Sequence, residues 1–328
     1  MKLIVVINHR VQIWEAPAWF DQKLRQEFPQ WEIIRFSTNT GNPEEFKDAD
    51  VIFSSSLTPE QFGSANHLQW IHSPSAAIHQ FLFPELVRSH VTLTNGRYVH
   101  GLVVAEHVIA LIFALAKNLP RSMRLQTQHA WGQAEMAPEG FRPREIAGAT
   151  LGLVGLGSIG ANVAKHAAAL GMRVIATREN PAKPKPEGVE QVFPASELSR
   201  LLRESDYVVL TVPVTASTEK LINEQRLKEM KRQACLINVG RGTLIDEVAL
   251  AQALKNKTIA FAALDVFEKE PLPESSPLWD LENALITPHI AGFSDKVWER
   301  QYAFFTENLR RFIDRQPLSA IVDKQKGY

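Results

Sequence analysis

Three ionisable side chains stand in short loops that each follow an apolar run. Arg241 lies in Asn238-Val239-Gly240-Arg241-Gly242, Glu270 in the 265–271 loop, and His289 in Thr287-Pro288-His289-Ile290-Ala291-Gly292. The separations are 29 residues from Arg241 to Glu270 and 19 from Glu270 to His289. An imidazole titrates near neutral pH and can pass a proton. A carboxylate can accept from one ring nitrogen and so fix the ring. A guanidinium keeps its proton and offers a planar fork to a carboxylate. Singly, each residue also has a structural reading: an ion-pair partner, a turn cap, a satisfied histidine. Jointly, on loops that follow strands, they make a proton-transfer centre beside an anion site.

A second chemical signal precedes them. Gly155-Leu156-Gly157-Ser158-Ile159-Gly160 fits G-x-G-x-x-G. The pattern alone is weak; its setting is not. It follows the apolar run 151–154 and opens a helical pattern over 159–170, closed by Gly171, after which a strand begins at Met172. Strand, glycine loop, helix and strand in that order bind the pyrophosphate of a dinucleotide at the helix N-terminus. Gly155 serves the turn, Gly157 the close approach of backbone to phosphate, and Gly160 the packing of helix on strand. The cofactor's ribose is read about 20 residues on, where NAD sites place a carboxylate. Here the strand runs into Thr177-Arg178. A hydroxyl and a guanidinium suit a 2′-phosphate, so the expectation is NADP in preference to NAD, with Glu179 as the residue that favours NAD.

The elements that must carry these loops alternate. Strand-like runs at 3–7, 31–36, 51–54, 68–71 and 91–94, with a helical pattern at 19–28, imply parallel β-α-β units. A helical pattern at 101–119 is apolar on nearly every face and has to be covered on all sides, within one domain or partly in a subunit interface. Six more strand-like runs follow, at 151–154, 173–176, 207–212, 235–238, 260–264 and 284–286, enough for a dinucleotide-binding domain. A last helix is expected over 294–312. First segment and tail flank the central block, which fits a discontinuous domain. The proline-rich stretch 181–186 reads as a stiff exposed loop.

Composition excludes several classes. The chain has 328 residues with 36 Lys plus Arg against 36 Asp plus Glu, so net charge gives no reason to expect nucleic acid or an anionic membrane as partner. The length favours about two domains. The one cysteine, Cys235, excludes an intramolecular disulfide and reads as a small buried hydrophobe. The apolar run at the N-terminus is too short for a secretion signal, and the stretch 102–116, broken by Glu106 and His107, is too short to span a membrane. The expectation is a soluble, cytoplasmic protein without a metal site: neither His72 nor His79 has ligand spacing to a third residue. Trp131 and Trp279 are expected to pack, with a pocket wall as the other reading.

On these residues the chain resembles the D-isomer-specific 2-hydroxyacid dehydrogenase family, of the glyoxylate/hydroxypyruvate reductase kind. The carrying segments are 155–160, 236–242 with Asp246, 263–273 and 287–292. Ala105-Glu106-His107 and the closing Ile321-Val322-Asp323 with Gly327-Tyr328 add weaker support. The resemblance implies an α/β architecture of two Rossmann-like, doubly wound parallel-sheet domains. The nucleotide-binding domain, 98–292, would be inserted into a discontinuous substrate domain, 1–97 plus 293–328. It implies hydride transfer between NAD(P)H and a short 2-keto acid or D-2-hydroxy acid. His289 would be the acid/base, Glu270 its orienting partner, and Arg241 the carboxylate clamp. Asp265 would meet the nicotinamide carboxamide; Val212, Pro213 and Thr218 would line the adenosine; Asn238, Val239 and Gly240 would pass the nicotinamide ribose, with Ala291 and Gly292 also on the cofactor. Backbone N–H groups of Ser55, Ser56 and Leu57 would meet the substrate carboxylate. Ala77 stands where the family often has glycine.

Two other functions share this scaffold. A corepressor-like NAD(H)-binding module is disfavoured by the lack of long polar extensions. Formate dehydrogenases carry Gln where Glu270 stands, because formate oxidation moves no hydroxyl proton; Glu270 therefore points to a protic reaction. A homodimer is expected from the resemblance and from the all-round apolar helix.

Overall fold

Most strands of the central block are largely apolar, as strands covered on both faces must be. In the computed structural model, which describes residues 1–9, 11–36, 42–139 and 142–327, the chain divides into two units, Met1–His100 with Phe293–Tyr328 and Gly101–Gly292. Tyr328, which ends the last resembling segment, lies outside the described residues.

The first unit contains β1 (Lys2–Val6), α1 (Ala18–Glu27), β2 (Glu32–Arg35), β3 (Val51–Ser54), α2 (Pro59–Ser64), β4 (Trp70–Ser73), α3 (Pro84–Arg88) and β5 (Thr92–Asn95). Its five strands are all parallel, in the order β2-β1-β3-β4-β5. The order reverses between β1 and β3, so the 55–57 loop leaves the sheet at the point where open α/β sheets hold ligands. A last helix, Val297–Ile313, returns to this unit and lays Phe305 into an aromatic core. Phe305 stacks on Phe53 with ring centres 4.7 Å apart and on Trp70 at 5.3 Å.

The second unit begins with α4 (Gly101–Ala116) and α5 (Leu119–Thr127). It continues through β6 (Thr150–Val154), α6 (Ser158–Ala169), β7 (Arg173–Arg178), β8 (Gln191–Pro194), α7 (Leu198–Glu204), β9 (Tyr207–Leu210), α8 (Glu224–Glu229), β10 (Cys235–Asn238), α9 (Glu247–Lys255), β11 (Phe261–Leu264) and β12 (Ala284–Ile286). Following these, Val297–Ile313 is α10. The seven strands are parallel in the order β12-β11-β10-β9-β6-β7-β8. All residues of β6, β9 and β10 are buried. The doubly wound α/β class is therefore present in both units.

Three details differ from the sequence expectation. An edge strand, β8, adds a seventh strand; its Gln191-Val192-Phe193-Pro194 run is too short and mixed to stand out. The 101–119 pattern breaks after Ala116, where Asn118 turns left-handed at φ 51° and Pro120 sits in the first turn of α5. And α4 is not covered all round: Leu102 and Ala110 are exposed, with Ile109 and Phe113 half-buried. No single helix among the described residues is long and apolar enough to cross a membrane.

Candidate active site

The glycine loop leaves β6 at the reversal of strand order, beside β9, with Val154 in register against Leu210. Gly155 takes φ 102°, a left-handed conformation that glycine tolerates, and a Cβ there would press within 2.8 Å of the Val212 side chain. A Cβ at Gly160 would fall 2.5 Å from the Gly155 carbonyl, so the helix start can lie on the loop only without a side chain. Around Gly157 there is open space, with no atom within 4 Å of a built Cβ. Gly157 is also the N-cap of α6 and offers no side-chain cap to the first-turn N–H groups. A helix N-terminus without a side-chain cap beside an open glycine is what a pyrophosphate requires, so the residues fit a dinucleotide. Leu156 and Ile159 pack against the core beneath. Val212 and Pro213 leave β9 alongside, and the Thr218 hydroxyl ties that loop by donating to the Pro213 carbonyl at 2.7 Å and accepting from the Thr215 N–H at 2.7 Å.

At the end of β7 the two residues read as a phosphate site part company. Thr177 is buried in the strand. The Arg178 guanidinium donates to the carbonyls of Pro181 and Pro184, each at 3.2 Å, and to that of Lys183. It therefore pins the proline-rich loop.

The three ionisable residues sit on adjacent strand ends. β10 pairs with β11 and β11 with β12, so their carboxyl-terminal loops emerge side by side. Asn238 organises the first loop: its amide donates to the Arg241 carbonyl at 2.9 Å and its Oδ1 accepts from Gly240 N–H at 3.1 Å. Gly242 has no room for a Cβ, which would lie 1.8 Å from the Phe267 carbonyl carbon. That contact seats the Arg241 loop directly on the Glu270 loop. Burial pulls the Arg241 guanidinium below its usual pKa, and the Glu270 carboxylate pulls it back.

The His289 Nδ1–H donates to Glu270 Oε2 at 2.6 Å, while Glu270 Oε1 accepts from Phe267 N–H at 3.1 Å. The His289 side chain stays 49% exposed, which leaves its Nε2 accessible. Its backbone is left-handed, φ 54°, and its N–H donates to the Asp265 carbonyl at 2.9 Å. Asp265 itself is 1% exposed. Its carboxylate accepts from the Thr287 hydroxyl at 2.6 Å and from the N–H groups of Ile290 and Ala291, both at 2.9 Å. Asp265 thus holds the loop that carries His289, Ala291 and Gly292, a role sequence reasoning did not assign. Glu247, also unforeseen, braces the neighbouring loop by accepting from Glu268 N–H at 2.5 Å.

In the first unit, Ser56 is not a free donor as expected: its N–H already donates to Ser54 Oγ at 3.2 Å. Ser55 and Leu57 remain from that set, with the Leu57 side chain buried in the core. Gln80 braces the loop by donating to the Ser55 carbonyl at 2.8 Å. His72 is a core residue, bonded through Nδ1 to Thr94 Oγ1 at 2.8 Å. Burial among aromatic rings pushes it down to about 3. Trp131 corrects the packing expectation: it is 92% exposed, because the turn after α5 carries its ring outward. Trp279 is 51% exposed and donates to the Pro273 carbonyl at 3.0 Å.

The chain is similar to known proteins along most of its length. Residues 109–291 match the profile of the D-isomer specific 2-hydroxyacid dehydrogenase, NAD binding domain. A glyoxylate reductase of Pyrococcus furiosus is 31% identical over 97% of this chain and 92% of its own length. One of Korarchaeum cryptofilum is 36% identical over 82% of this chain and 81% of its own length. Among solved structures, a D-isomer specific 2-hydroxyacid dehydrogenase from Xanthobacter autotrophicus in complex with NADPH and MES superposes with a TM-score of 0.84 at 29% identity, covering 99% of both chains. An NADPH-dependent glyoxylate/hydroxypyruvate reductase from Sinorhizobium meliloti in complex with NADP and sulfate superposes with a TM-score of 0.84 at 25% identity, covering 100% of this chain and 99% of that one.

Proposed function

The chain belongs to the D-isomer specific 2-hydroxyacid dehydrogenase family, and on that premise we propose that it reduces a short 2-keto acid of the glyoxylate or hydroxypyruvate kind to its 2-hydroxy acid, the D isomer where the product is chiral. The observation that carries the reading is the 2.6 Å bond from His289 Nδ1 to Glu270 Oε2, made on loops at adjacent strand ends beside Arg241. The bound nicotinamide supplies the hydride. The chain's own residues manage the charge this creates. His289 gives a proton from Nε2 to the carbonyl oxygen; Glu270 holds the ring by its other nitrogen and stabilises the imidazolium of the acid form. Arg241 grips the substrate carboxylate and polarises the carbonyl. In the reverse direction His289 takes the hydroxyl proton.

The cofactor is NAD(P), and we read the preference as NADPH. No carboxylate ends β7, and Arg178 can exchange loop carbonyls for the oxygens of a 2′-phosphate. The partly exposed α4 face supports a homodimer; a single-chain mass by sedimentation at micromolar concentration would contradict it. The function is tested by reduced-nicotinamide absorbance, with NADH and NADPH in parallel against a panel of short 2-keto acids. Oxidation dependent on glyoxylate or hydroxypyruvate, faster with NADPH, supports the proposal. No oxidation with any 2-keto acid and either cofactor overturns it.

A further inference from the structure

Beside the buried Asp265 carboxylate stands His107 of α4, with Nε2 3.7 Å from Oδ1. The same Nε2 lies 3.3 Å from the Thr287 hydroxyl oxygen. That hydroxyl has a single proton. At 2.6 Å from a carboxylate oxygen, which only accepts, the proton points to Asp265. The Thr287 oxygen therefore accepts, and the His107 Nε2 carries the hydrogen. The chain of bonds runs from His107 through Thr287 to Asp265, and from Asp265 to three consecutive amides of the His289 loop: its backbone carbonyl takes His289 N–H, and its carboxylate takes those of Ile290 and Ala291.

We propose that His107 is a positioning residue for the catalytic loop: it locks the Thr287–Asp265 pair that sets the backbone of His289. Burial lowers the pKa of His107 and the Asp265 charge raises it, yet the role needs only the Nε2–H donor, which the neutral tautomer also has. His289 needs such a support because it sits in a left-handed backbone conformation, uncommon for a residue with a side chain. Loss of the donor frees the Thr287 oxygen, loosens its grip on Asp265, and lets the imidazole drift from its productive position. Misplacement by about 1 Å costs on the order of 100-fold in rate. The inference rests on the reading of His289 as acid/base.

The test compares His107→Ala with His107→Gln, whose amide N–H can reach the same hydroxyl. His107→Ala is expected to lower kcat by about 10- to 100-fold while KM for glyoxylate and NADPH affinity by fluorescence change little. Hydrogen exchange of the 287–292 peptide should speed up, with the thermal midpoint of the whole protein nearly kept. His107→Gln should recover most of the turnover and the protection. Unchanged kcat and exchange in His107→Ala, or equal losses in both variants, would overturn the proposal. His289→Ala measured alongside separates the two ideas. If that variant keeps turnover, the acid/base reading fails, while exchange at Ile290 and Ala291 still decides whether His107 holds the loop.

Discussion

His289 Nδ1 and Glu270 Oε2 are 2.6 Å apart although 19 residues of chain separate them. The second Glu270 oxygen is held by Phe267 N–H, so the carboxylate has no freedom to swing away. An anion in this place both orients the ring and stabilises its positive charge when the proton is taken up, and a charge-assisted bond is about twice as strong as a neutral one. Glu270→Gln keeps an acceptor but not the charge. We expect kcat for keto-acid reduction to fall by about tenfold, equivalent to about 1.4 kcal/mol of barrier, with a smaller change in KM. Kinetics equal to wild type would show that the carboxylate charge plays no part.

Arg241 is placed by a loop with almost no slack: Asn238 ties it from within, and Gly242 lies against the Phe267 backbone. Arg241→Lys retains a positive charge but loses the planar fork. Expected results are a raised KM for the keto acid, a lowered kcat and unchanged NADPH affinity. A KM and kcat like those of wild type would remove Arg241 from substrate binding.

His72 predicts a pH dependence of stability. Its ring packs on Phe53, Trp70 and Phe305 and holds its pKa down at about 3. The unfolded chain binds that proton near pH 6.5. Between those values the unfolded state carries more protons than the folded one, so stability falls as pH is lowered from 6.5 toward 3. Full expression of one such group is about 1.4 kcal/mol per pH unit. Urea denaturation of wild type and His72→Phe across this window should show a steeper acid loss for wild type. Parallel curves would mean that His72 is not the titrating group.

The parts of the site that were legible in the sequence are those where chemistry or backbone geometry restricts the residue type. Gly155 has to turn left-handed and Gly160 has to lie against a carbonyl, so the loop shows itself wherever a strand and a helix flank it. Arg241, Glu270 and His289 are visible because each stands in a short loop that follows an apolar run. What stayed hidden depends on long-range contacts. The loop-bracing role of Asp265 shows only when Thr287, Ile290 and Ala291 converge on it. His107 looks like a flaw in an apolar helix. β8 is an edge strand with mixed polarity, and the outward ring of Trp131 follows from a turn rather than from residue type. Arg178 combines the two cases: its type suggests phosphate, while its bonds to Pro181, Lys183 and Pro184 come from the fold.

The central claim is that the His289 ring moves the proton that accompanies hydride transfer. Single-turnover oxidation of bound NADPH on mixing with glyoxylate, compared between wild type and His289→Ala, tests it most directly. The account predicts a loss of about 10²–10⁴-fold in the transfer rate, with NADPH affinity retained because the glycine loop is untouched. A rate in His289→Ala within a few-fold of wild type would contradict it.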